Sequence, residues 1–259
     1  MKLGFIGMGN MGQALCEGWI SAGVLKPEEV SAYAPHREKL EANAARIGFQ
    51  PAASALEAAQ KAEWVLMACK PYQIEDVLEE IGEALRGKVL LSVALGWDLK
   101  KYRKKLGEDV RVQFIMPNTP ARVAEGVFLF EEENTLEPEE EASTKVLFGA
   151  LGKVFVLPSR LMGIGGAVSG CGPAFADMIM EALADAAVRY GIPWGTAYEL
   201  VSQMLLGSAK LQRDTGIHPA VLKDAVCSPG GSTIRGVLAL EEMGLRSALQ
   251  AAVDAVMDY

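Results

Sequence analysis

The chain has 259 residues, half of them hydrophobic and 22% charged, with a formal net charge of −8. That length holds one large domain or two smaller ones with a real core. The acidic balance excludes a general nucleic-acid binder, which needs a basic surface to neutralise phosphates.

In chain order, KLGFIG (2–7) is a short apolar run ending in glycine, and helical spacing follows over 11–22. EVSAYA (29–34) predicts a second strand and HREKLEANAARIG (36–48) a helix stopped by Gly48. WVLMACKP (64–71) is a β-rich run stopped by proline, and IEDVLEEIGEAL (74–85) has helical period. KVLLSVALG (88–96), RVQFIMPN (111–118), GVFLFEE (126–132) and KVFVLP (153–158) are further strand candidates. EEENTLEPEEE (131–141) reads as an exposed loop running into a helix start. Strands alternating with helices predict βαβ units and a mostly parallel sheet covered on both faces.

The pattern changes near Pro158, after which no convincing strand appears. Helices are predicted over 174–191, 194–216, 219–226, 232–244 and 245–259. The first carries apolar residues around much of its circumference and must be buried. So short a bundle supplies little cover, and packing against a second subunit is expected. The expected fold class is α/β: an N-terminal Rossmann-type doubly wound sheet over 1–158, then an all-helical segment over 159–259. No apolar run reaches the roughly 18 residues of a membrane span. The N-terminus lacks the long apolar core and cleavage site of a signal peptide, so a cytoplasmic protein is expected.

GMGNMG places Gly7, Gly9 and Gly12 in G-x-G-x-x-G spacing, directly after a predicted strand and opening a predicted helix. In that context the spacing indicates a dinucleotide site. Gly7 permits the tight turn, Gly9 lets backbone approach a pyrophosphate, and Gly12 lets helix and strand pack closely. The pyrophosphate then meets the amides of Asn10, Met11 and Gly12 at the helix N-terminus. An NAD site usually ends its second strand in Asp or Glu. Here that place holds Ala34 or Pro35, with His36, Arg37 and Lys39 close by. The missing acid and the nearby cations favour a 2′-phosphate and hence NADP, with NAD as an alternative. Arg37 and Lys39 also fit a solvated helix face. Lys70 and Pro71 (ACKPYQ, 68–73) and Asn118 (MPNTPA, 116–121) each follow a strand. Lys70 there either touches a ligand or caps a carbonyl, and Asn118 sits in either a cofactor contact or a plain turn.

CSPGGSTI (227–234) sets a flexible turn among helices, either as a connector or as a ligand site. Cys16, Cys69, Cys171 and Cys227 are scattered without C-x-x-C spacing, and only His36 and His218 accompany them. No metal site is expected. Asp177, Glu181 and Asp185, at i, i+4 and i+8, read as a polar stripe or interface ion pairs.

Taken together, GFIGMGNMG, CKP, MPNTPARVAEG, SGCGPAFADMIMEALADAAVRYGIP, HPAVLKDAVCSPGGSTI and ALEEMGLRSALQAAVDA resemble pyrroline-5-carboxylate reductase along nearly the whole chain. The resemblance implies a Rossmann domain followed by a helical dimerisation domain. It implies reduction of 1-pyrroline-5-carboxylate to L-proline with NADPH or NADH, the last step of proline synthesis. It also implies a substrate site in the dimer interface at the turn from Ser228 to Thr233. There Thr233 would bond the ring nitrogen, and the amides of Gly230, Gly231 and Ser232 would hold the carboxylate. Family dimers often assemble into a pentamer of dimers. A hydroxyl is a poor proton donor by itself, and no general acid stands out; His218, before Pro219, is a weak candidate.

Two rival readings share this pattern. A β-hydroxyacid dehydrogenase resembles the N-terminal half but relies on a lysine in its long helix, and 174–190 contains none. A non-catalytic NADP-binding regulator would share the fold, but the complete SPGGST turn argues for a substrate site.

Overall fold

The computed structural model describes residues 1–258. Its strands are β1 (Leu3–Ile6), β2 (Val30–Tyr33), β3 (Gln50–Pro51), β4 (Trp64–Met67), β5 (Val89–Ser92), β6 (Arg111–Met116), β7 (Gly126–Glu131) and β8 (Gly152–Leu157). They form one sheet in the order β3-β2-β1-β4-β5-β6-β7-β8. Every neighbouring pair is parallel except β6 and β7. The helices interleaved with the strands are α1 (Asn10–Ser21), α2 (Arg37–Ile47), α3 (Ala55–Lys61), α4 (Ile74–Ile81), α5 (Leu99–Leu106) and α6 (Pro138–Gly149). There follow α7 (Ser159–Gly166), a π turn at Ala167–Cys171, and then α8 (Gly172–Arg189), α9 (Trp194–Thr215), α10 (Pro219–Ala225), α11 (Ser232–Glu242) and α12 (Leu245–Met257). Among the described residues no strand follows β8, and no helix is long and apolar enough to cross a membrane.

The chain divides into two compact units, Met1–Gly170 and the segment from Cys171 onward. In the first, β1 and β5 are buried along their whole length, because helices cover both faces of a parallel sheet. One face carries a core centred on Trp19, fully buried, whose indole donates to the Leu147 carbonyl at 2.8 Å. Its ring meets Phe148 edge-on at 5.0 Å, and Phe148 in turn meets Phe128 and Phe130. The opposite face is packed by α3 and α4 through Ala55, Ala58, Ala59, Ile74 and Leu78.

Four short elements depart from the expectations: β3, α3, α5 and α7. α3 lies against β1 so closely that a Cβ on Gly4 would stand 2.6 Å from the Ala58 carbonyl oxygen. The contact division also falls later than the expected boundary at 158. Met162 of α7 is buried with Phe114 and Leu129 of the sheet, so this helix remains with the first unit.

In the second unit, α8 and α9 pack together through Ala184, Ala197 and Val201. Those three are its only buried hydrophobic residues among the described ones. The helix expected to need burial, α8, leaves Met178 69% exposed.

Candidate active site

The strand order reverses between β1 and β4, and in such sheets a ligand crevice opens beyond the carboxyl ends of those strands. A cleft of about 600 Å³ lies there, lined by Gly7, Gly9, Asn10, His36, Lys39 and Lys70 among others. Gly7 has φ +107, and a Cβ on it would stand 2.5 Å from Ala68 C and Cys69 N, so β1 can turn into α1 only through glycine. Gly9, the N-cap of α1, has open space where a Cβ would point. Gln13 is the first residue of the turn to bond back, to the Gly9 carbonyl at 2.9 Å. The amides of Asn10, Met11 and Gly12 therefore stay unpaired among the described residues, a fitting cradle for a diphosphate. Gly12 itself is buried against the Gly7 carbonyl, and the Met11 side chain packs on the core. These features fit a dinucleotide.

The cations separate into two groups. His36 and Lys39 line the cleft. Arg37 does not: its guanidinium is held by Glu41 at 2.6 Å and the Ala52 carbonyl at 3.0 Å. The expected adjacency of three cations thus becomes two facing the cleft and one tied to α2 and the segment after β3. The Lys70 ammonium caps no carbonyl among the described residues and borders the cleft. Pro71 lies outside the lining, with its carbonyl accepting from the Trp97 indole. Asn118 is 6% exposed, and both ends of its amide bond within the protein. Its Oδ1 accepts from Val127 N–H at 2.8 Å and its Nδ2 donates to the Ser169 carbonyl at 2.9 Å. This side chain clamps the turn after β6.

Sequence reasoning missed several lining residues, among them Gln13, Tyr33, Asn43, Tyr72 and Gln73. Gln13 had a readable signal, since it follows the glycine motif at once; its Nε2 donates to the Met8 carbonyl and closes the loop. Cys69 also lines the cleft. Burial pushes its thiol up to about 11, so it is a neutral thiol near pH 7 and no nucleophile.

In the second unit, Ser228, Gly230, Gly231, Ser232 and Thr233 form one tight turn opening α11. Gly230 is left-handed at φ +69, and Gly231 is the N-cap. The Gly231 amide closes the turn onto the Ser228 carbonyl at 3.0 Å. It is therefore engaged, in contrast to the expectation that it faces a ligand. The amides of Gly230, Ser232 and Thr233 and the exposed Thr233 hydroxyl make no hydrogen bond among the described residues. His218 caps α10, its Nδ1 accepting from Ala220 N–H at 3.2 Å. Asp177, Glu181 and Asp185 are all exposed. No group of three or more metal-ligating side chains occurs among the described residues.

The profile described as pyrroline-5-carboxylate reductase dimerisation matches residues 159–259, and one described as NADP oxidoreductase, coenzyme F420-dependent, matches residues 2–96. The pyrroline-5-carboxylate reductase of Treponema pallidum is 44% identical over 99% of this chain and 99% of its own. This chain belongs to the pyrroline-5-carboxylate reductase family. The Escherichia coli member is 39% identical over 99% of this chain and 96% of its own. The crystal structure of the Plasmodium falciparum pyrroline carboxylate reductase with NADP bound has TM-score 0.91 and 30% identity. It covers 100% of this chain and 96% of that one. The helical segment that the family profile matches is a dimerisation domain.

Proposed function

We propose that the chain reduces 1-pyrroline-5-carboxylate to L-proline with NADPH, the last step of proline biosynthesis, as a cytoplasmic enzyme. The observation that carries this reading is the full-length 44% identity to a reductase of that name, which spans both the glycine turn and the Ser228–Thr233 turn. NADPH is the cofactor because the acid of an NAD site is missing while His36 and Lys39 line the cleft. NADH is the weaker alternative.

When bound, NADPH supplies the hydride that saturates the imine. The amides of Asn10, Met11 and Gly12 hold its diphosphate, and Lys39 with His36 recognises the 2′-phosphate. At the C-terminal turn, Gly230, Ser232 and Thr233 offer amides to the substrate carboxylate, at a helix start that favours negative charge. The Thr233 hydroxyl orients and polarises the ring nitrogen. Its acidity is too low to protonate that nitrogen alone; the proton arrives with the imine as its iminium form or comes from water, and the turn contributes positioning and electrostatics rather than acid catalysis. Residues 159–259 act as the dimerisation and substrate domain. The working species is a homodimer, with a pentamer of dimers as the larger assembly.

The direct test is the loss of NADPH absorbance on addition of 1-pyrroline-5-carboxylate to folded, cofactor-binding protein; no loss overturns the proposal. Thr233→Ala should lower kcat/KM by about 10- to 100-fold, the cost of a hydrogen bond worth about 1.5–3 kcal/mol. Unchanged kinetics would remove Thr233 from the mechanism.

A further inference from the structure

Two segments leave the carboxyl ends of the adjacent strands β4 and β5. The first, 68–73, carries Lys70 into the cleft. The second, 93–98, carries Trp97, which is only 8% exposed. The Trp97 indole N–H donates to the Pro71 carbonyl at 3.1 Å. That carbonyl also accepts the Ile74 amide at the start of α4, so both of its lone pairs are filled. Pro71 has no N–H, and its carbonyl is the only backbone group through which this residue can be tied.

The donor side is rigid. The Trp97 ring packs on Tyr102 at 5.1 Å, and the buried Tyr102 hydroxyl bonds Ser92 Oγ, at the end of β5, at 2.8 Å. Ser92 Oγ also accepts the Ala94 amide, the Trp97 amide donates to the Ala94 carbonyl, and Glu131 of β7 accepts the Leu99 amide at 3.4 Å. The indole therefore reaches Pro71 from a loop fixed to two strands.

We propose that Trp97 is a positioning residue for the cofactor: its indole bond fixes the Lys70–Pro71 turn at the wall of the cleft and so sets NADPH affinity. Trp97 acts through that turn and lies outside the cleft lining. The inference rests on the reading of the cleft as the NADPH site.

The test compares Trp97→Phe, which keeps a ring on Tyr102 but lacks the donor, with Trp97→Leu and the wild type. NADPH binding is titrated by fluorescence, steady-state constants are measured, and melting is followed by circular dichroism. Both variants should raise Kd and KM for NADPH about 3- to 10-fold, the range for one lost neutral hydrogen bond, with kcat within about twofold and KM for the imine unchanged. A wild-type Kd in Trp97→Phe overturns the proposal. So does a lowered Tm with unchanged NADPH affinity in either variant, since that is the signature of packing alone. A fall in kcat at constant NADPH affinity overturns it as well. Failure of the wild type itself to bind NADPH defeats the underlying cofactor reading instead.

Discussion

The two units handle apolar residues in opposite ways. The first buries Trp19, Phe5, Phe128, Phe130, Phe148 and Tyr102 almost completely within itself. The second leaves Tyr190 84%, Leu206 57% and Leu200 54% exposed, and closes only a small seam between α8 and α9. Both are rich in apolar side chains, so composition alone does not distinguish them; what differs is whether those side chains find cover within their own unit. A helix apolar nearly all round needs a neighbour on every side. This is the physical content of calling the second segment a dimerisation domain.

The comparison breaks most sharply at Trp19. Trp19→Ala should cost about 3–5 kcal/mol, because it empties the centre of a closed core. The loss, read by urea unfolding followed on signals of the sheet domain, should not depend on protein concentration. Next comes a charge pair on α9, Met204→Glu with Leu211→Glu. Light scattering should then show a monomer, and kcat/KM should fall by about 100-fold or more, since burying unpaired carboxylates costs at least a few kcal/mol. The same variant should keep near-normal NADPH affinity, because every residue lining the cleft lies in the first unit. A dimer that survives both charges would remove this face from the interface.

Smaller effects sharpen the division further. Lys39→Ala should raise KM for NADPH about 3- to 10-fold with little change for NADH, the range for a partly exposed charged contact. Arg37→Ala, whose guanidinium is held by Glu41 and Ala52, should change either by less than about twofold. Equal effects of the two substitutions would return Arg37 to the 2′-phosphate. Last is a pH slope confined to the closed core. Burial pushes the Cys16 thiol from 9.0 up to about 12. The folded chain therefore keeps a proton that the unfolded chain releases. Stability from this group is full below pH 9 and falls as the pH rises toward 12, by up to about 1.4 kcal/mol per pH unit. Cys16→Val should flatten the slope of unfolding free energy between pH 9 and 10.5.

The alternating elements and the change of pattern after Pro158 were legible because the central strands are buried on both faces and read as unbroken apolar runs. The elements that escaped have weak signals. Helix α3 packs through alanines, whose small side chains barely raise the contrast between its faces. Helix α5, LKKYRKKL, buries only Tyr102 and otherwise reads as a charge run. At the site, Gly7 and Gly230 were legible because backbone geometry itself demands glycine. The division between Lys39 and Arg37 was not, for it depends on which side chain finds Glu41 and a carbonyl fifteen residues away. Asn118 was likewise ambiguous, since its partners Val127 and Ser169 are distant in sequence.

The glycine turn has a consequence for mutational tolerance. At Gly7 the obstruction is main chain and begins at Cβ, an atom every other amino acid carries. A saturation library at this position should therefore sort into glycine and a uniform class of failures, in abundance and in activity alike. Gly9 faces open space, so its substitutions should accumulate as normally folded protein and lose activity in proportion to side-chain size. Two glycines of one motif would thus leave different records, one written by the fold and the other by the ligand.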